Sequence, residues 1–170
     1  MLSLYVVLPL LTLVVLLQST VLAPISILGG RPDLVLLVVV GWAFIRGPEE
    51  GVVWAFISGL LLDLFSGGPL GGVTLALLVV ALFVGQKWGQ ELGATFLQLF
   101  LLVLIAAFVY HILILLALGW TGYATDWRYG LARIAAPSAI LNAVLAPFVH
   151  YPLAWLDRRT RPEGLTFDGF

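Results

Sequence analysis

Residues 51–72, GVVWAFISGLLLDLFSGGPLGG, place one carboxylate, Asp63, in an otherwise apolar run that stops in a glycine-rich turn. What that acid costs depends on the solvent around it, and the rest of the chain settles the solvent. Of the 170 residues, 62% are hydrophobic and 10% charged, with a mean hydropathy of +1.12, far from the balance of a soluble domain. The apolar residues come in long unbroken runs rather than as stripes opposite a polar face. A helix that is hydrophobic all round is buried in protein or in lipid. Six such runs leave too little polar sequence to wrap them. The chain reads as an integral membrane protein, and an acid within one of its spans is by default a functional-site candidate.

A hydrocarbon core of roughly 30 Å takes about 20 apolar residues as helix. The candidate spans are residues 2–22, 33–45, 51–65, 70–84, 94–118 and 131–155, followed by a short tail at 157–170. They predict one membrane domain over residues 1–170, an all-α, compact bundle of six transmembrane helices. Short loops at 46–50, 66–69 and 86–93 force consecutive helices to run antiparallel. Spans two to four are short; they thin the bilayer, or two of them form a re-entrant hairpin. Six full spans is the preferred reading. Pro32 and Asp33 look like an N1 proline and a first-turn acid starting span two. The first run has no basic segment before it and no small-x-small cleavage site before Pro24, so it reads as a retained span rather than a signal peptide.

Orientation follows the short-loop basic residues. With both ends cytoplasmic, Arg46, Lys87, Arg158, Arg159 and Arg161 lie inside, and Arg31, Arg128 and Arg133 lie outside. That bias predicts cytoplasmic N- and C-termini. Trp120, Tyr123, Trp127 and Tyr129 would then belt one interface, with Tyr151 and Trp155 marking the other.

Three readings of Asp63 compete. It reaches water or caps a neighbouring helix from the interface; it pairs with Arg31 or Arg133, which share its outer face; or it transfers protons. His111 and His150 sit on different spans without further ligands at helical spacing, so a polar contact is favoured over a metal. Asn142, Pro137 and Pro147 mark span six as a bent helix. Small residues recur four apart: Ala55 and Gly59, Gly67 and Gly71, then Ala81, Gly85, Gly89 and Gly93. In lipid such spacing lets helix backbones approach closely, within the bundle or against a partner's helix, and glycines near loops also simply turn the chain.

Other chemistries lack their parts. A net charge of −1 offers no basic field for nucleic acid, and without cysteine there is no disulfide or thiolate site. Nothing resembles a phosphate-binding loop. One intramembrane Asp is not a carboxylate dyad, and no nucleophile has a base beside it. The expectation is a non-enzyme with no cofactor and no metal.

Arg31-Pro32-Asp33 opening span two, Gly51 opening span three, the run Gly59-Leu60-Leu61-Leu62-Asp63-Leu64-Phe65-Ser66-Gly67, and Pro69-Leu70-Gly71 after it together resemble the rod shape-determining protein MreD family of bacterial inner membranes. The resemblance covers about residues 1–160 in layout and is sharpest over 51–72. It implies a scaffold that pairs with the membrane helix of MreC. Through MreC it joins lateral peptidoglycan synthesis with MreB filaments, RodA and its penicillin-binding transpeptidase. The layout is also similar to substrate-binding S components of energy-coupling-factor vitamin transporters, the alternative reading. Those proteins commonly carry an Ala-x-x-x-Ala pair on span one, and LSLYVVLPLLTLVVLLQSTVL has none.

Overall fold

The computed structural model describes residues 4–86 and 96–160. Their regular structure is helical, with no strand among the described residues. The helices are α1 (Leu4–Leu17), α2 (Leu34–Arg46), α3 (Pro48–Ser66), α4 (Gly72–Val84), α5 (Phe96–Trp120), the single turn α6 (Trp127–Tyr129) and α7 (Ala136–Thr160). A π-helical turn, Gln18–Leu22, extends α1, and another, Gly130–Ala135, leads into α7. Six of these helices have 13 residues or more, and the short turn α6 only prepares the last of them.

The bundle is built around α2. Every residue from Val35 to Phe44 is buried, and α2 packs on α1, α3, α4, α5 and α7. A helix apolar on all sides is here wrapped by protein, not lipid. That explains its length. Thirteen residues rise only about 20 Å, too little to cross a bilayer unaided, but a helix surrounded by other helices does not have to match the lipid. Tyr5–Leu22, Leu97–Trp120 and Trp127–Thr160 are long and apolar enough to span a membrane, whereas Leu34–Arg46 and Gly72–Val84 are apolar but shorter. Polar residues of α1 and the π turn after it are accommodated within the helix: the Thr12 hydroxyl donates to the Leu8 carbonyl at 2.7 Å and the Ser19 hydroxyl to the Val15 carbonyl at 2.8 Å, which hides them from lipid.

Several helix starts differ from those expected. Span three begins at Pro48, not Gly51: Pro48 takes the first helical position and Glu49 and Glu50 its first turn, where acids favour the positive end of the helix. Their charge makes them look like loop in a hydropathy reading. Asp33 is not inside α2 but caps it, accepting from the Leu36 N–H at 2.9 Å, and Pro32 precedes the cap. The last helix starts later because the chain first makes the Asp126-capped turn α6, with Tyr129 N–H donating to Asp126 at 3.1 Å, and then a π turn. From Ala136 the helix continues to Thr160 through both Pro147 and Pro152.

The helices alternate direction, so two ends can be distinguished. The Asp63 end holds the starts of α2, α4 and α7 and the ends of α1, α3 and α5. The Arg46 end holds the start of α1 and the end of α7, so both described ends of the chain emerge on that side.

Candidate functional site

At the Asp63 end, Gly67 (φ +64°) closes α3 and Gly71 (φ +90°) opens α4. Both conformations are left-handed and strained for a side-chain-bearing residue. The tight turn they make returns the chain so that the first turn of α4 faces the last turn of α3. Gly59 sets the spacing: a Cβ there would stand 2.6 Å from the Thr74 Cα, so only glycine allows this approach.

Asp63 fills the resulting corner. Its carboxylate accepts from the backbone N–H groups of Gly71, Val73 and Thr74, each at 3.0 Å, and from the Thr74 hydroxyl at 2.5 Å. The Gly72 N–H donates to the Pro69 carbonyl at 3.1 Å, and Leu75 makes the first in-register helical bond, to Gly71, at 2.9 Å. The orphan donors that open a helix are therefore all satisfied, three of them by one side chain from the preceding helix. An anion at that position also meets the positive end of the helix dipole. This is how a carboxylate only 2% exposed is tolerated in an apolar bundle.

Neither Arg31 nor Arg133 pairs with Asp63 among the described residues. Of the three readings, the acid caps the neighbouring helix and does not form the ion pair, because the carboxylate's acceptor capacity is already taken. Both arginines are exposed. Arg31 is held instead through its backbone: its N–H donates to the Ser138 hydroxyl at 3.0 Å, and its carbonyl accepts from the Asn142 amide at 3.3 Å. The Asn142 oxygen accepts from the Asp33 N–H at 2.8 Å, and its amide also donates to the Ser138 carbonyl at 2.9 Å. The Gln18 oxygen accepts from the Leu34 N–H at 2.7 Å. The preceding loop is pressed onto α7: a Cβ on Gly30 would stand 2.7 Å from the Pro137 carbonyl carbon. Tyr110 of α5 lies beside the Asp33 carboxylate.

The small residues sort into two groups. Ala55, Gly59, Ala81 and Gly85 are buried, and a Cβ on Gly85 would stand 2.5 Å from the Pro48 nitrogen. These face inward. Gly67 and Gly71 have nothing within 4 Å of where a Cβ would stand, and serve the turn. Gly89 and Gly93 lie outside the described residues. His111 bonds the Ala107 carbonyl at 2.7 Å through Nδ1. His150 packs edge-on to Phe44 with ring centres 6.0 Å apart, and its Nδ1 has no hydrogen-bond partner among the described residues. No group of three metal-ligating side chains occurs among the described residues.

The Arg46 end carries a second polar constellation, not singled out from sequence. The Arg46 guanidinium binds Asp157 of α7, stands 3.6 Å from Glu50 of α3, and donates to the Thr160 hydroxyl at 3.0 Å. It also lies over the Trp42 ring at 5.4 Å. Trp42 donates to Glu50 at 3.1 Å and stacks on Trp54 with centroids 4.3 Å apart and planes 11° apart. One cation thus ties α2, α3 and α7 together. Beyond it, Arg158 and Arg159 are exposed, and Arg159 stands over the Trp155 ring at 5.0 Å.

Isolated polar residues in apolar runs were the available signal for the missed positions. Gln18 opens the polar run Gln18-Ser19-Thr20 near the end of span one, and Ser138 with Asn142 forms an i, i+4 polar pair on span six. Nothing in the sequence marks Arg46 as the partner of Asp157.

The family model described as rod shape-determining protein MreD matches residues 1–158. No solved structure matches the chain, so the likeness to transporter S components gains no structural support.

Proposed function

This chain belongs to the rod shape-determining protein MreD family, and we propose that it is a non-catalytic scaffold of the bacterial inner membrane. In this reading it holds the membrane helix of MreC and helps organise lateral peptidoglycan synthesis. RodA, its penicillin-binding transpeptidase and MreB assemble with it through that contact. Its N- and C-termini face the cytoplasm, which puts the Asp63 end outside.

The observation that carries this reading is what the buried and half-buried polar groups bond. Asp63, Asp33, Gln18, Ser138 and Asn142 all bond backbone groups at helix starts and in the preceding loop. Such groups hold helices in register and present a rigid outer face. In lipid, association between helices rests on close packing of preformed surfaces rather than on hydrophobicity. With Ala55, Gly59, Ala81 and Gly85 turned inward, the face offered to MreC is made of the exposed side chains of the bundle.

Affinity purification from detergent after co-expression with MreC tests the proposal. The expected result is stoichiometric MreC that persists through size exclusion. A monodisperse chain that leaves MreC behind overturns it.

A further inference from the structure

We propose that a cleft at the Asp63 end binds the phosphate head of an anionic phospholipid, with Arg31 as its charged contact. The cleft holds about 380 Å³ between the π-helical turn after α1, the Arg31–Pro32 loop and the last turn of α3. Gln18, Leu22, Arg31, Leu62, Phe65 and Ser66 contribute to its wall.

Charge selects the ligand class. The wall contains one cation and no acid, and Arg31 makes no ion pair among the described residues. Neither nearby carboxylate pairs with it among the described residues: Asp63 accepts from the start of α4 and Asp33 from the Leu36 N–H. The Gln18 oxygen is engaged by Leu34, and the Ser66 hydroxyl lies 3.4 Å from the Asp63 carbonyl, within its own helix. The guanidinium therefore keeps its fork of donors for an external anion, the geometry best suited to phosphate.

Position and wall chemistry select the source. Arg31 is anchored through its backbone to Ser138 and Asn142, so the loop carrying the charge is fixed before a ligand arrives. Leu22, Leu62 and Phe65 give the rest of the wall an apolar character, and Phe65 is 56% exposed. A free phosphate has no use for apolar walls; a headgroup with the first methylenes of its chains does. The volume is at the small end for ligand sites, enough for a head and not for two acyl chains. The site does not depend on the scaffold reading and involves no MreC.

Native mass spectrometry of the full chain in neutral detergent tests the site, titrating phosphatidylglycerol against phosphatidylcholine. The wild type is expected to retain phosphatidylglycerol selectively. Arg31→Gln should weaken that retention about tenfold, Arg31→Lys by less, and Arg128→Gln, an exposed cation away from the cleft, not at all. Leu62→Trp, which fills the cleft and keeps the charge, should also weaken it, and decides the matter if Arg31→Gln does not fold. Unchanged retention in Arg31→Gln or Leu62→Trp, or an equal loss in Arg128→Gln, overturns the proposal. Displacement of the lipid by millimolar glycerol phosphate would assign the cleft to a soluble phosphate ester and overturn the lipid assignment.

Discussion

At the Asp63 end a carboxylate is bound by backbone N–H groups of the next helix, eight to eleven residues along the chain. At the Arg46 end a guanidinium is bound by side chains, the principal one 111 positions away. Both ends neutralise a charge within an apolar bundle, but they ask different things of the chain. The first needs a local turn, two left-handed glycines and one acid. The second needs α2 and α7 to be packed already. The Asp63 corner is accordingly a device for starting a helix, and the Arg46 cluster one for fastening helices that have formed.

The difference makes the Asp63 corner the more costly to break. Asp63→Ala strands one buried and two part-buried N–H donors and a hydroxyl; at about 1–3 kcal/mol for each unsatisfied group, with partial relaxation, the expected loss is roughly 4 kcal/mol. Asp63→Asn keeps one acceptor oxygen and should lose less. Thermal unfolding in detergent followed by tryptophan fluorescence measures both. A loss below about 1 kcal/mol for Asp63→Ala, the least expected of a single stranded group, would show that the corner is held by packing instead. Gly59→Val attacks the same corner through space: the 2.6 Å approach of its Cβ to Thr74 forces α3 and α4 apart, for about 2 kcal/mol. Because both changes act on one helix pair, the double variant should cost less than their sum.

The same contrast decides what could be read in advance. Six helices, the apolar character of α2 and the turn after Asp63 were legible because each is written in consecutive residues. The acid's true partner was only one of three open readings. Backbone N–H groups carry no residue identity, so a search for charges across the outer face points to Arg31 and Arg133. The core position of α2 was not legible either. A run apolar on all sides looks the same whether lipid or other helices surround it, and only packing separates the two. Arg46 with Asp157 is the extreme case, since each sits in a different loop-like charged segment and the contact exists only once the bundle is assembled.

Salt separates the two ends without any appeal to which is stronger. Asp157→Ala leaves Arg46 with Glu50 at 3.6 Å, so the expected loss is about 1–2 kcal/mol, less than for a fully buried pair with no second partner. Replacing both residues, Arg46→Met with Asp157→Leu, should recover most of it, since no charge is then left unpaired. The Arg46 end opens towards the exposed Arg158 and Arg159; raising salt from about 0.1 to 1 M shortens the screening length to roughly 3 Å and should shrink the Asp157→Ala effect. The Asp63→Ala effect should not move. Equal salt dependence at the two ends would mean that Asp63 is held by charge rather than by oriented N–H groups.

The smallest effect sharpens the comparison within the Asp63 corner itself. Gly59 and Gly67 belong to one run of sequence, yet space restricts the first and backbone conformation the second. Gly67 has φ +64° and nothing within 4 Å of where a Cβ would lie. Gly67→Ala should therefore cost only the left-handed penalty, about 1 kcal/mol, and Gly67→Asn less, because asparagine tolerates that region better. At Gly59 the order should reverse: alanine, the smaller side chain, is the milder change, and asparagine the harsher. Unfolding midpoints of the four variants test this crossed ranking. If alanine beats asparagine at both positions, Gly67 is a packing residue, and the corner is assembled by helix contact rather than by its turn.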